Sequence, residues 1–509
     1  MGFDVVVPGM MAVFTPITMT LLFFGVVIGI IFGATPGLTA AMGIALFLPL
    51  SFGFQPVEGI SLLIGLYVGG INGGLICSIL LNIPGTPSSI ATCFDGYPMA
   101  RDGQGGKALA IAIFCSLIGS LISFVFLIFF SHHIANIALR FSPFEYFAVA
   151  VFSLTLISSL TEKSIVKGLL SGLLGMAFAM VGAAPLDSYF RFTFGNIHLM
   201  TGFSLLPVLV GLYAITEVLA SAENRNKVQP PVSTNFKRSL VGFTMPEFIQ
   251  NIPNLIRSSL VGLGIGILPG IGSGTSNILA YIAAKKQSKH PEKFGSGCIE
   301  GLVAPETANS ATVGGNFVPL LTIGIPGDAS SALVLGGLVL HQIMPGPMLF
   351  RTNGAFVFSI FTALIVAAFI MFFVQNAGIK LFVKLLTIPK HILLSVVVVL
   401  CTVGAFATNN TMIDVYTLVI FGIIGFALIK LKFPLPPVIL GFILAPIVEL
   451  NLRRGLMLSQ GSLMPFVTRP ITATFLGIAV VTFIYSLTRE ILRGRAERRK
   501  EEQELQEQQ

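Results

Sequence analysis

Across 509 residues, 54% are hydrophobic and only 10% charged, and the mean hydropathy of +0.89 exceeds what one water-soluble core can hide. The formal charge of +8 does not indicate nucleic acid, because the basic residues sit in short loops rather than on one face or arm. A membrane-spanning helix needs about 20 mostly apolar residues, so the apolar runs allow roughly 12 to 14 crossings or half-crossings.

The first Lys or Arg is Arg101, so the N-terminus lacks the basic region of a cleavable signal peptide. Residues 1–100 are therefore expected to be mature structure. The basic clusters Arg101/Lys107, Lys163/Lys167, Arg225 to Arg238, Lys285 to Lys293, Lys380 to Lys390, Lys430/Lys432 and Arg489 to Lys500 read as cytoplasmic by the positive-inside rule. The loops around 132–142, 185–198, 408–414 and 449–469 then fall outside, although the last carries Arg453, Arg454 and Arg469. The five cysteines are scattered without metal-site spacing and are expected to pack as apolar side chains.

Two interruptions of the apolar pattern occur twice. "GATPGLTAAMG" begins at Gly33 and "IPGTPSS" at Ile83; "GILPGIGSGTS" begins at Gly266 and "IPGDASS" at Ile325. Each copy has a G-x-x-P-G break followed by an I-P-G-x-x-S-S break. The domain division that follows is a first membrane repeat over 1–219, a cytoplasmic linker over 220–242, a second repeat over 243–488 and a charged tail over 489–509, read as a solvated helix. The first I-P-G break leads into "RDGQGGK", which the charge rule places inside. The second leads towards Arg351, which fits outside better, so the repeats are expected to have inverted topology. The predicted fold is an all-α polytopic membrane protein of about 12 transmembrane segments with broken or re-entrant helices.

Proline lacks an N–H and glycine tolerates unusual backbone, so Pro-Gly in an apolar run ends one helix and lets another begin. The freed backbone groups cost several kcal/mol each in lipid, so such a break survives only inside protein or beside a watery cavity. A restarting helix points N–H groups and its positive end into that cavity, which suits an anion; unwound carbonyls suit a small cation such as Na⁺. Ser88, Ser89, Ser330 and Ser331 stand where N-caps or ligand donors are needed. Asp328, directly after its break, and Glu306 in "APETANS" are each either functional intramembrane acids or structural caps. Asp95 and Asp102 read as interfacial. "GLGIGILPGIGSG" lacks the βαβ frame of a dinucleotide loop. No Ser/Lys, HExxH or paired membrane-acid motif supports an enzyme, and no resident cofactor is implied.

The ordered blocks "GATPGLTAAMGIALFLPLSFG", "GGINGGLICSILLNIPGTPSSIATCFDGYPMARDGQGGKAL", "GILPGIGSGTSNILAY", "FGSGCIEGLVAPETANSATVGGNFVPLLTIGIPGDASSALVLGGL" and "FPLPPVILGFILAPIVELNLRRGL" span nearly the whole chain. Through them it resembles the large membrane subunit of the bacterial tripartite tricarboxylate transporters. The resemblance implies a multi-pass inner-membrane protein that imports di- or tricarboxylates by cation symport, typically with Na⁺ and alternatively with H⁺. It implies two partners, a small four-helix membrane subunit and a periplasmic solute-binding protein; it leaves a homo-oligomer open. It points to Thr86, Pro87, Ser88, Ser89, Asp328, Ala329, Ser330 and Ser331 for the substrate carboxylates. For the cation it points to Thr35, Pro36, Gly37, Asn72, Pro269, Gly270, Ser273, Thr275 and Asn309. A carboxylate channel or facilitator without ion coupling would use the same broken helices.

Inversion is checked by reporter fusions: one placed after Gly103 and one after Gly354 are expected to report opposite sides of the membrane. The same side for both would contradict it.

Overall fold

A computed structural model describes residues 3–35, 38–159, 164–223, 240–385 and 390–507. Pro36, Gly37, Lys163 and Arg225 to Arg238 fall outside the described residues. The fold is all-α apart from a two-residue hairpin, Gly182–Ala183 against Phe190–Arg191. Among the described residues, eight helices are long and apolar enough to cross a membrane and five apolar helices are shorter. The shorter ones include the segments that the Pro-Gly breaks cut off, which is why full crossings are fewer than the apolar runs suggest.

The chain forms two compact units interleaved in sequence. The first comprises Met1–Leu139 and Ser204–Phe426, the second Arg140–Phe203 and Ala427–Gln509. In the first unit, five elements recur in order. They are α1 (Pro16–Ala34), α2 (Ala40–Ser51), α3 (Pro56–Gly73, continued by Leu75–Leu81), α4 (Thr92–Met99) and α5 (Gly105–Ala138), then α6 (Met245–Ile267), α7 (Gly272–Gln287), α8 (Ile299–Ile323), α9 (Ala329–Leu340) and α10 (Gly354–Leu385). Local sequence sets their ends. Thr15 accepts from Thr18 N (3.4 Å) ahead of Pro16, and Thr39 accepts from Met42 N (3.1 Å) to start α2. Thr244 and Glu247 form a capping box at α6, with Thr244 N donating to Glu247 Oε2 over 2.8 Å.

Glycine seams hold the unit together. A Cβ on Gly25, Gly29 or Gly33 of α1 would lie 2.4, 2.5 or 2.1 Å from the carbonyl oxygens of Leu62, Leu66 and Gly70 of α3. Gly262 and Gly266 of α6 approach Ala308 O and Thr312 O of α8 in the same way, at 2.2 and 2.6 Å. In lipid no hydrophobic drive pushes helices together, so this backbone approach supplies the packing. The residue steps match on the two partners, so α1 runs parallel to α3 and α6 parallel to α8. Between α3 and α8 the order reverses: Tyr67 meets Asn316, Ile71 meets Asn309 and Asn72 meets Ser310. Helices in matching positions of the two copies therefore run in opposite directions. The copies are also interlocked, since α5 packs on α6 and α8, and α10 on α1 and α3.

In the second unit, helices Pro143–Ser159, Ile165–Ala179, Leu435–Leu458 and Pro470–Glu507 pack through another close approach, a Cβ on Gly441 falling 2.0 Å from Gly172 O. The arginines that sit awkwardly in a loop assigned outside are partly neutralised. Arg453 reaches Asp187 at 2.6 Å and Glu449 at 3.4 Å, Arg191 holds Glu449 through both oxygens, and Arg469 lies 3.4 Å from Glu145. Hydrogen bonding from Arg453 holds the Asp187 carboxyl below the ordinary aspartate range.

Gly262 and Gly264 are two residues apart on α6, and a Cβ on Gly264 meets nothing within 4 Å. Gly262→Ala is expected to cost about 1–3 kcal/mol by overpacking, whereas Gly264→Ala stays within about 1 kcal/mol or stabilises. Melting of the purified protein in detergent measures both.

Candidate functional site: two helix breaks and the helix that touches both

The matching breaks have matching backbone. After α1, Thr35 is extended (φ −84, ψ 114), and after α6, Leu268 is nearly identical (φ −80, ψ 117). The continuation of α3 ends in left-handed Asn82 (φ 55), and α8 ends in left-handed Gly324 (φ 76). Each I-P-G loop then folds onto the first break of its own copy. A Cβ on Gly85 would sit 2.4 Å from Gly33 O, and one on Gly327 would sit 2.8 Å from Gly266 O. Gly270 N also donates to Gly327 O at 2.8 Å.

Both loops close with the same box. Ser89 Oγ accepts from Thr86 N (3.3 Å) and donates to Thr86 O (2.9 Å); Ser331 Oγ does the same for Asp328 N (2.8 Å) and Asp328 O (2.9 Å). Around Thr86 the remaining bonds are between neutral hydroxyls. Thr86 and Ser88 share one at 2.8 Å, and Ser78 donates to Ser89 at 2.8 Å. Around Asp328 they are not neutral. Its Oδ1 accepts from Ser331 N at 2.7 Å, and Tyr67 Oη lies 3.0 Å from both carboxylate oxygens. That Tyr67 oxygen in turn accepts from Asn316 Nδ2 at 2.6 Å.

The N-terminus of α7 brings the copies together. A Cβ on Gly272 would lie 3.3 Å from Asp328 Cβ, and one on Gly274 would lie 3.3 Å from Pro87 O. Gly270 and Ser273 thus stand between the two loops, with Thr275 half-buried on the first turn. Ser88, Ser89, Ser330 and Ser331 are all buried. Asn72 and Asn309 lie elsewhere, at the crossing of α3 and α8. Asn72 donates its Nδ2 to Val68 O (2.7 Å) and accepts at Oδ1 from Ser310 Oγ (2.5 Å), while Asn309 donates to Ile71 O (3.3 Å). Among the described residues no Lys or Arg is buried, so positive field at the site comes from backbone N–H groups or from a bound cation.

Tyr67, Asn316 and Gln375 belong to the site region but are absent from the sequence-based expectations. Tyr67 and Asn316 are isolated polar groups among apolar and glycine residues, and Gln375 with Asn376 is a polar pair in an apolar run, which is the signal that could have marked them. Gln375 donates to Asn72 O at 2.9 Å. The oxygens of Asn309, Asn316 and Gln375 meet no hydrogen-bond donor, and their amide nitrogens are already committed to acceptors.

The other acids separate by surroundings. Asp95, expected at an interface, is fully buried. Its Oδ1 accepts from the backbone of Gly295 (2.9 Å), Gly297 (2.9 Å) and Cys298 (2.7 Å), and its Oδ2 from Tyr281 (2.9 Å), so it ties down the loop before α8. Asp102 is exposed beside Arg101. Glu306 is buried and accepts from Thr92 and from Ser116, the latter at 3.2 Å.

Comparison with known proteins gives this arrangement its context. Residues 19–440 match the tripartite tricarboxylate transporter TctA family. The chain belongs to that family. Family membership makes it a multi-pass membrane subunit of a tripartite transport system. It is similar to a 52.8 kDa protein in the TAR-I ttuC′ 3′ region of Agrobacterium vitis, 35% identical over 93% of this chain and 94% of that protein. A second Agrobacterium vitis protein, in the TAR-II ttuC′ 3′ region, is 37% identical over 44% of this chain and 92% of its own length. No solved structure matches.

Asp95→Ala removes the buried acceptor that holds three loop N–H groups and the Tyr281 hydroxyl and is expected to cost about 1–3 kcal/mol. Thermal melting should fall, while the KM for substrate in the folded fraction stays unchanged.

Proposed function

We propose that the chain imports di- or tricarboxylates of the citrate type across a bacterial inner membrane by cation symport, with Na⁺ as the ion. A periplasmic solute-binding protein delivers the substrate, and a small four-helix membrane subunit completes the complex. The observation that carries this reading is the pair of capped breaks, one from each copy, meeting at the N-terminus of α7. Opposed matching helices fit an inverted repeat, and in secondary transporters such repeats place the site where their broken helices meet. The hydroxyls and N–H groups of Thr86 to Ser89 and of Asp328 to Ser331 are the substrate donors in this reading. The carbonyls at the G-x-x-P-G breaks are the cation ligands in this reading, whereas Asn72 and Asn309, expected beside them, lie at the α3–α8 crossing and are not among them. With no buried Lys or Arg among the described residues to hold several negative charges, a co-bound cation offsets what neutral donors alone would leave.

The test is uptake of labelled citrate into proteoliposomes holding this chain, its small subunit and its binding protein, with and without an imposed Na⁺ gradient. Accumulation that needs both the gradient and the binding protein is expected. Equilibration independent of the gradient would instead mark a facilitator and end the symport reading.

A further inference from the structure

The two I-P-G loops share one backbone and one capping box, yet differ in charge at the same position, Thr86 in the first and Asp328 in the second. We propose that this difference divides the labour: the Asp328 loop holds the coupling cation, ligated by Asp328 and the Asn316 amide oxygen, and the substrate carboxylate is left to the Thr86 loop. The proposal rests on the cation-symport reading and revises its assignment of Asp328 to substrate.

Three observations carry it. Asp328 already fills the N-terminus of α9, because its own carboxylate accepts from Ser331 N at 2.7 Å. A substrate carboxylate brought beside it would meet a like charge, and that repulsion is strong where water is partly excluded. Secondly, the donors to this carboxylate, Tyr67 Oη and the first turn of α9 at Ser330 and Ser331, are all neutral, and among the described residues no Lys, Arg or His pairs with it. Asp328 is half-buried, and a carboxylate at such a place held by neutral donors alone is costly and gains from a positive partner.

Thirdly, oxygen atoms gather at Gly327, the residue directly before it. Asn316 is fully buried, and its NH₂ is committed to Tyr67 Oη. Its Oδ1 is therefore turned away from Tyr67 and meets no donor. That oxygen lies 2.2 Å from where a Cβ on Gly327 would be, and the Gly266 carbonyl of the first break lies 2.8 Å from the same point. Carboxylate, amide and main-chain oxygens are a hard donor set, and one negative charge matches a monovalent ion. Among the described residues the first copy offers nothing comparable. Gly85 faces Gly33 O, but Cys77 Sγ and Gly74 Cα stand where the second copy has Asn316, and Thr86 carries no charge. What the first loop does have is the Thr86 and Ser88 hydroxyls, which are able to donate to an anion.

The test uses the purified full-length chain in detergent, melted in NaCl, KCl or choline chloride at equal ionic strength, alongside citrate uptake in proteoliposomes. Wild type is expected to gain melting temperature with NaCl over the other salts, saturably. In Asp328→Asn and, independently, in Asn316→Leu, the Na⁺ concentration for half the effect should rise about tenfold or more. Thr86→Val should keep the Na⁺ effect and raise the KM for citrate. A wild type with no Na⁺-specific effect, or Asp328→Asn and Asn316→Leu both responding as wild type does, overturns the site. Loss of the effect in Thr86→Val overturns the division of labour. If Na⁺ stabilises through Asp328 while uptake ignores the Na⁺ gradient, the site stands and the symport reading falls; Na⁺-driven uptake with no role for Asp328 gives the converse.

Discussion

The rest of this structure depends on one constraint: a helix interrupted inside the membrane frees backbone N–H and C=O groups that lipid will not satisfy. The protein meets it by folding each broken stretch onto another broken stretch. Gly85 lies on the Gly33 carbonyl, Gly327 on the Gly266 carbonyl, and Gly270 N donates to Gly327 O. Ser89 and Ser331 then close the loops from within, each bonding both the N–H and the C=O of the residue three before it. The breaks are thus supported by each other, which is why two pairs occur and why neither pair is separable from its helices.

Glycine makes this possible at the level of packing. The α1–α3 and α6–α8 seams bring backbone to within a few ångströms of backbone, an approach that any side chain would prevent. Such seams hold helices rigidly along their length, so the ends of α1, α3, α6 and α8 are fixed points from which the breaks project. The interlocking of the copies, α5 on α6 and α8 and α10 on α1 and α3, places the first copy's Pro87 and the second copy's Asp328 against one helix start at Gly272 to Gly274. A site assembled that way changes when either copy moves, and a rocking or sliding transport cycle needs that property.

The symmetry is incomplete where chemistry is concerned. Backbone angles at Thr35 and Leu268, or at Asn82 and Gly324, agree between the copies, yet Asn316 has Gly74 as its counterpart beside the loop and Asp328 has Thr86. Duplication supplies the frame, and single side chains make the half-sites unlike. Asp95 shows that an acid in such a protein is not thereby functional: three backbone donors and a tyrosine account for it completely.

Much was legible in the sequence. Membrane class followed from hydropathy, and the duplication from two Pro-Gly pairs repeated in order, because Pro and Gly act on the backbone of their own residues and need no partner to do so. The capping roles of Ser89 and Ser331 were equally local, since an N-cap and its box lie within three residues. The partners of Asp95 at 281 and 295–298 were not legible, because they are distant in sequence and burial is a property of the packed state. Tyr67, Asn316 and Gln375 went unseen for the same reason. By itself the sequence determined where the helices break and what kinds of atoms the breaks expose. Only the tertiary structure decided which breaks meet and which oxygens are left facing one another, because those contacts join residues distant in sequence, 187 positions apart for Gly274 and Pro87 and 261 for Tyr67 and Asp328.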